Sequence, residues 1–402
     1  MSRLLRSPYG LCLLFVSTMT GLISVGYPVA LQAAGFAKGD IAVFFVVDSV
    51  TAFALALTAS RPAPLRHARP LLVAALLVGA GGLLLVGGRS LPLVCMGGAL
   101  SMAAAVTMPL ILRQIQTASR TAALSDAVLA AGTRWIAVAG YLAGVAGFGA
   151  SASLTPLWPD WTPVHAAVPL LLAAAAVAAV GSRSDAAATR TAPARSGPEA
   201  PVTPTPGLLL VVGVTPIVLL KAADSVRLIY LPLFVVASGR DERLISVLFL
   251  ATAAVELLVL PLLGRLGERR SAPLLLGAAA VIGVLSFTVS AAFSSVGSLL
   301  TSQLLYAPFT AALQALGPLL LGRLLTGGLP AGAGLFAALM QLGSLIGILA
   351  PLAVPGYSPG LFWVAAAFCT VAAAVLLHVR STPSLLPRPA GGTDDASAPA
   401  SL

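Results

Sequence analysis

The sequence has little charge and few of the side chains that do chemistry. Only 9% of its 402 residues are charged, whereas soluble domains carry roughly a quarter. Asn is absent, and there are two lysines, three histidines and three cysteines. Because 58% of the residues are hydrophobic, a water-soluble fold could not cover its own surface. The bilayer is therefore the solvent for most side chains, and in it each helix satisfies its own backbone hydrogen bonds.

These absences exclude several classes of function. No Gly-rich run ends in Lys-Ser or Lys-Thr, which argues against a nucleotide-driven pump. The histidines and cysteines have no metal-ligand spacing, so we expect no metal, no cofactor and no enzymatic activity. The formal net charge of +10 is dispersed among short loops rather than gathered on one face, which argues against nucleic acid as a partner.

Apolar runs of about 20 residues, the length needed to cross a bilayer, recur along the whole chain. They predict twelve spans, at 9–31, 40–59, 70–88, 91–112, 127–150, 164–181, 207–236, 244–263, 273–292, 297–321, 332–354 and 360–379.

The distribution of basic residues supports this count. With the N-terminus in the cytoplasm, sixteen of the 23 basic residues fall on the inside and four on the outside. The positive-inside rule predicts this asymmetry, and adding or deleting one span would destroy it. We therefore expect a multi-pass protein of the cytoplasmic membrane with both termini in the cytoplasm.

A polar stretch rich in Ala, Pro, Thr and Arg divides the spans into six and six. It predicts an N-terminal six-helix bundle at 1–181, a flexible cytoplasmic linker at 182–206, a C-terminal six-helix bundle at 207–381 and a disordered tail at 382–402. An offset of 203 residues superimposes matching residues of the halves, such as Gly140 on Gly343. This indicates an internal duplication with parallel repeats.

Charged and amide side chains inside the spans are the candidates for a substrate or proton pathway. A lone charge at the bilayer centre costs at least ~2.5 kcal/mol, so such groups normally face the bundle interior or water. The candidates are Asp48, Arg134, Lys221, Asp224, Arg227, Tyr230, Glu256, Gln303 and Gln341.

The seventh span carries the densest cluster. Lys221, Asp224 and Arg227 occupy one helical face, with the aspartate between the two cations. The cluster is either a self-neutralising ladder that lets the helix insert or a gate and binding surface.

Asp48 and Glu256 lie near the middle of the second and eighth spans. A buried carboxylate that gains and loses a proton as access alternates can couple transport to the proton gradient. Either residue is alternatively a structural partner of Arg134 or Lys221. Arg134 either binds a polar or anionic solute or anchors a carboxylate, and the glutamines either line the cavity or join helices.

The chain resembles the major facilitator superfamily over nearly its whole length, through its six-plus-six layout, central linker and basic loops after the second and eighth spans. The loop from Gly264 to Arg270 is similar to the superfamily's cytoplasmic signature, whereas the equivalent segment from Arg61 to Arg69 lacks its glycine and aspartate pattern. The resemblance implies gating roles for the arginines of these loops, Arg66, Arg69, Arg265, Arg269 and Arg270.

Within the superfamily the chain resembles bacterial sugar efflux transporters most. The similar residues are Asp224-Ser225, Tyr230 to Phe234, Ala253-Ala254 with Glu256, and Met108-Pro109 with Arg113. The resemblance implies an all-α membrane fold and functional roles for Glu256, Arg134 and the seventh span.

The expected function is proton-coupled efflux of a small solute such as a sugar by a monomer. One alternative is a multidrug or metabolite exporter of the same fold, which the absence of Asn favours because sugar sites commonly use amide side chains. Another alternative is a non-transporting membrane receptor or scaffold.

Overall fold

The fold is known from a computed structural model. It describes residues 7–59, 65–105, 107, 110–111, 114–115, 126–154, 164–180, 207–293, 295–325 and 328–381, although some side chains within these ranges are not described. The predicted linker at 182–206 and tail at 382–402 lie outside them.

The described residues are all-helical and form twelve α-helices that follow the predicted spans closely. These are α1 (Pro8–Ala33), α2 (Lys38–Ala59), α3 (Leu65–Val86), α4 (Leu91–Ala105), α5 (Asp126–Leu154), α6 (Ala167–Val180), α7 (Gly207–Ala237), α8 (Arg243–Arg269), α9 (Ala272–Ala292), α10 (Val296–Leu324), α11 (Gly328–Leu349) and α12 (Gly360–Ser381). A 3₁₀ turn, Ala350–Ala353, follows α11.

Length and composition alone allow seven of the described helices to cross a membrane. Two shorter apolar helices lie at Leu91–Ala104 and Ala167–Val180. The all-helical membrane fold is confirmed, while the full set of twelve crossings stays a prediction.

Local sequence signals define the helix ends. At the start of α1 the Ser7 side chain accepts a hydrogen bond from the Gly10 backbone N–H at 3.0 Å. Gly35 and Gly239 follow α1 and α7 with φ of 85° and 68°, a left-handed conformation that glycine adopts without a steric penalty. The helices that begin the two halves therefore end in the same way.

Five helix pairs pack in the same way in both halves. In the N-terminal half α1 packs against α5 and α6, α3 against α4 and α6, and α2 against α4. In the C-terminal half α7 packs against α11 and α12, α9 against α10 and α12, and α8 against α10. Adding six to each helix number converts one set into the other, which agrees with the predicted parallel repeat.

Glycines allow close helix approach in both halves. A Cβ atom at Gly140 would lie 2.7 Å from the Leu14 carbonyl oxygen of α1, and one at Gly343 would lie 2.6 Å from the Val218 carbonyl oxygen of α7. Gly144 and Gly347 follow one turn later in each helix, so small residues one turn apart allow the close packing in both halves.

The two halves meet through three helix pairs, α1 with α7, α2 with α11, and α5 with α8. The second and third pairs are equivalent under the repeat. Asp48 on α2 and Glu256 on α8 thus belong to helices that line the boundary between the halves.

Candidate functional site

A buried polar network in the C-terminal half brings four candidates together. Asp224, Arg227 and Gln303 are only 8%, 5% and 2% exposed. Asp224 forms an ion pair with Lys221 one turn earlier on α7 and accepts a hydrogen bond from the Tyr306 hydroxyl of α10. Asp224 thus lies between two cations on α7, as predicted, and Tyr306 of α10 is an additional partner for it.

Arg227 is held by neutral groups rather than by a carboxylate. Its Nε donates to Gln303 Oε1 at 2.8 Å, and its Nη2 donates to Thr252 Oγ1 at 3.0 Å. The rings of Phe249 and Tyr306 have their centroids 3.9 Å and 4.4 Å from its Cζ. Cation–π attraction in a dry site, worth ~2 kcal/mol or more, helps to offset the burial of this charge.

The network therefore joins α7, α8 and α10 into one polar unit. Gln303 uses both ends of its amide: its Oε1, which accepts from Arg227, lies 3.3 Å from the Thr252 hydroxyl, and its Nε2 donates one N–H to Ser302 Oγ at 3.2 Å. The Thr252 hydroxyl proton is shared with the Leu248 carbonyl oxygen at 3.0 Å. The charges of Lys221, Asp224 and Arg227 sum to +1, and the partly buried Glu256 lies within electrostatic range of Asp224 and Arg227. An ionised Glu256 makes the cluster neutral.

The N-terminal half presents hydroxyl groups opposite this cluster. Tyr141 on α5 lies within electrostatic range of Arg227, Glu256 and Asp224. Its hydroxyl accepts a long hydrogen bond, 3.5 Å, from Ser24 Oγ on α1. Polar groups of the two halves thus lie near each other at the boundary between the halves.

Asp48 and Glu256 are carboxylates without a direct protein partner among the described residues. Asp48 Oδ1 is buried and unbonded there, and Glu256 makes no hydrogen bond or ion pair within the same ranges. Beside Asp48, the Tyr27 hydroxyl instead donates to Ser101 Oγ at 2.7 Å. Because an unpaired charge in an apolar interior is costly, both carboxyl groups are suited to carrying a proton.

The remaining pathway candidates lie apart from the network. Arg134 is exposed on α5 and has no carboxylate within ion-pair distance in the described ranges. Gln341 is partly buried on α11, with no hydrogen bond to another described side chain. Tyr230 donates its hydroxyl to the Ile348 carbonyl oxygen at 2.6 Å, at the far end of α11.

The predicted gating arginines are only partly described. Arg69 donates from Nη2 to the Ala179 carbonyl oxygen at 2.8 Å, a contact with α6 of its own half. Arg270 is exposed immediately after α8. The side chains of Arg66, Arg265 and Arg269 lie outside the described set, so gating by these loops stays a prediction.

Sequence reasoning missed Tyr141, Thr252 and Tyr306. Neutral hydroxyl residues are common in membrane helices, so their presence alone carried no signal. One signal was available for Tyr306, which follows Gln303 by three residues and so shares its helical face. Tyr141 stands inside the small-residue motif from Gly140 to Gly144.

Metal binding finds no support in this part of the structure. Within the described ranges, no three or more His, Cys, Asp and Glu side chains gather into a group that could hold an ion.

No protein-family model matches the sequence, and no curated protein matches it. Solved structures do match its fold. The nucleoside transporter NupG aligns with a TM-score of 0.75 and 13% identity, covering 93% of this chain and 98% of that one.

Two further structures align over similar lengths. A bacterial homologue of the human lysosomal transporter Spinster, in an inward-facing and unoccupied conformation, has a TM-score of 0.65 and 13% identity, with 97% and 99% coverage. A bacterial homologue of the human drug peptide transporters PepT1 and PepT2 has a TM-score of 0.65 and 11% identity, with 94% and 97% coverage. At such low identity these alignments show the fold alone, which is the major facilitator fold.

Proposed function

We propose that this protein is a secondary active transporter that exports a small solute in exchange for protons. It works as a monomer in the cytoplasmic membrane, with both termini in the cytoplasm, and alternates access by rocking of the two six-helix halves. The proposed halves are residues 1–181 and 207–381, joined by the linker at 182–206.

The unpaired carboxyl groups of Asp48 and Glu256 carry this proposal. They lie on α2 and α8, the equivalent boundary helices of the two halves, and have no direct protein partner among the described residues. A purely structural carboxylate in lipid is normally paired, as Asp224 is with Lys221. Carboxyl groups left free at the moving boundary fit proton exchange better than a static scaffold.

The resemblance to sugar efflux transporters makes a sugar the first candidate substrate. Drug or metabolite export is the second candidate, and the network favours it in one respect. The amide of Gln303 is bonded to Arg227 and Ser302. Two described amides remain on the boundary helices: Gln341 on α11, and Gln32 on α1, whose Oε1 is buried without a hydrogen-bond partner. A site poor in free amides suits a less polar solute.

Reconstitution of the purified chain in liposomes tests the coupling. With an imposed pH gradient, we expect accumulation of a substrate chosen from a panel of labelled sugars, nucleosides and amphiphilic drugs. Asp48→Asn and Glu256→Gln should each reduce gradient-driven accumulation at least tenfold. Exchange of substrate against substrate, which needs no net proton movement, should survive in at least one of them.

Matched controls lie at the starts of the same two helices. Asp40 lies at the start of α2 and accepts a hydrogen bond from the Ala37 backbone N–H at 3.1 Å, so Asp40→Asn tests a carboxylate away from the boundary centre. Glu242 precedes α8, and burial together with neighbouring Asp241 raises its pKa. Glu242→Gln thus removes another perturbed carboxyl group and should leave coupling intact.

Accumulation that ignores both the pH gradient and the two substitutions would refute proton coupling. No movement of any solute by correctly folded chain would instead favour the receptor or scaffold alternative.

A further inference from the structure

Lys38 lies between the first two predicted spans, on the predicted outer side, and joins the two halves directly. It begins α2, and its ammonium donates hydrogen bonds to the carbonyl oxygens of Pro351, Val354 and Gly356 at 2.7 Å, 2.6 Å and 2.9 Å. An ammonium group has three donors, so all three are used. We call these three carbonyl oxygens the carbonyl cradle.

The carbonyl cradle lies just beyond the end of α11. Its oxygens belong to the 3₁₀ turn and to the residues that follow it, and the Pro351 oxygen also accepts a hydrogen bond from the Val354 backbone N–H at 3.1 Å. A carbonyl oxygen has two lone pairs, so the Pro351 oxygen can accept from Val354 and Lys38 together. The chain turns away through the 3₁₀ turn at Ala350–Ala353, and Gly356 has φ of 59°. A Cβ atom at Gly356 would meet nothing within 4 Å, so backbone conformation rather than space favours glycine here.

Two tyrosines of the C-terminal half complete the site. The Lys38 Nζ lies 5.6 Å from the ring centroid of Tyr230 and 5.9 Å from that of Tyr357, within the range of cation–π attraction. The Tyr230 hydroxyl binds the Ile348 carbonyl oxygen and so holds the end of α11 from α7. Burial raises the pKa of the Tyr357 hydroxyl, which keeps that ring neutral.

A second contact between the halves lies on the same side of the membrane. Ser246, near the start of α8, donates to the Val145 carbonyl oxygen of α5 at 3.1 Å. A Cβ atom at Gly149 would lie 2.7 Å from Ser246 Oγ, so the two helices touch there. The hydrogen bonds that join the two halves, counted among the described residues, all lie at the predicted outer ends of the helices.

We propose that Lys38 is the latch of an external gate, and that the carbonyl cradle is a binding site for a primary ammonium group. With Lys38 in the cradle the outer side is shut. When the halves rock apart, the ammonium leaves, and the empty cradle can accept another primary ammonium in its place. The gate serves the alternating access of the proposed function, but its occupancy can be measured without any transport.

Ser246→Cys in a Cys95→Ala background provides a reporter of opening, because Ser246 is buried between α5 and α8. Cys12 and Cys369 are buried and can stay. An impermeant maleimide is added outside right-side-out vesicles, and the labelling rate is compared with and without Lys38→Met. We expect the substitution to speed labelling about tenfold, because it removes three charge-assisted hydrogen bonds. Arg89→Met removes an exposed outer cation and should leave the rate unchanged.

Chemical rescue tests the binding site itself. Lys38→Ala lacks a propylammonium fragment, so added n-propylammonium should slow the labelling of this variant towards the parental rate. Tetramethylammonium has the charge without N–H donors and should not. Gly356→Ala perturbs the cradle from the other half and should speed labelling by a smaller factor, which keeps the test decisive if the Lys38 variants fold poorly.

Labelling in Lys38→Met and Gly356→Ala no faster than in Arg89→Met would overturn the latch. A fast Lys38→Ala rate that n-propylammonium leaves unchanged would overturn the ammonium site. Loss of proton coupling with the expected labelling pattern would count against the proposed function alone.

Discussion

Replacing Gln303 with Met should destabilise the protein through Arg227. Methionine matches glutamine in length but offers only a weak thioether acceptor. The Arg227 Nε–H, now bonded to Gln303 Oε1 at 2.8 Å, would then point a buried charged donor at an apolar group.

The magnitude follows from the charge on the donor. Neutral hydrogen bonds between membrane helices average only ~0.6 kcal/mol. A hydrogen bond to a charged group contributes about 1.5–3 kcal/mol. Thr252 still accepts from Nη2 at 3.0 Å, and both aromatic rings remain, so Arg227 keeps most of its partners. We therefore expect the free energy of unfolding to fall by about 2 kcal/mol.

Denaturant titration of the purified protein in detergent, followed by the fluorescence of its four tryptophans, measures this loss. Gln314→Met is the matched control, because Gln314 is an exposed amide on the same helix. Gln303→Glu restores an oxygen acceptor and should keep most of the parental stability. The reasoning fails if Gln303→Met loses no more free energy than Gln314→Met.

Two further outcomes are expected. Gly144→Ala should lower the free energy of unfolding by about 1–3 kcal/mol, because the new Cβ would collide with the α1 backbone. Gly147→Ala is the control and should leave the free energy of unfolding unchanged, because its Cβ would lie 3.6 Å from the nearest atom. The same denaturant titration measures both variants. In folded protein, an impermeant maleimide added outside should label the half-buried Cys95 and spare the buried Cys12 and Cys369, as mass spectrometry would show; labelling of Cys95 only from the cytoplasmic side would contradict the predicted orientation.

The helix boundaries were predictable because they depend on local composition. A run of apolar side chains of spanning length has one stable form in lipid, a helix that bonds its own backbone. The predicted seventh span, 207–236, accordingly matches α7 at Gly207–Ala237 to within one residue. The polar linker at 182–206 lies outside the described residues and stays a prediction.

The candidate site was predictable only in its charges. Asp224, Arg227 and Glu256 stand out because charged residues are rare and expensive within apolar runs. The neighbours of these charged groups could not be predicted from the sequence. Hydroxyl side chains such as those of Tyr141 and Tyr306 are common in membrane helices, and only the packing of the helices shows which of them lie near the charges.

By itself, the sequence determined that this chain is a helical membrane protein and roughly where its helices lie, since hydrophobicity acts residue by residue. Individual ends differed, by six residues at α8, which ends at Arg269 rather than at 263. Only the tertiary structure decided that Arg227 pairs with Gln303, that Asp48 and Glu256 stay unpaired among the described residues, and that Lys38 reaches a carbonyl more than 300 positions away. Those contacts depend on helix packing between segments distant in the chain, and no local pattern records them.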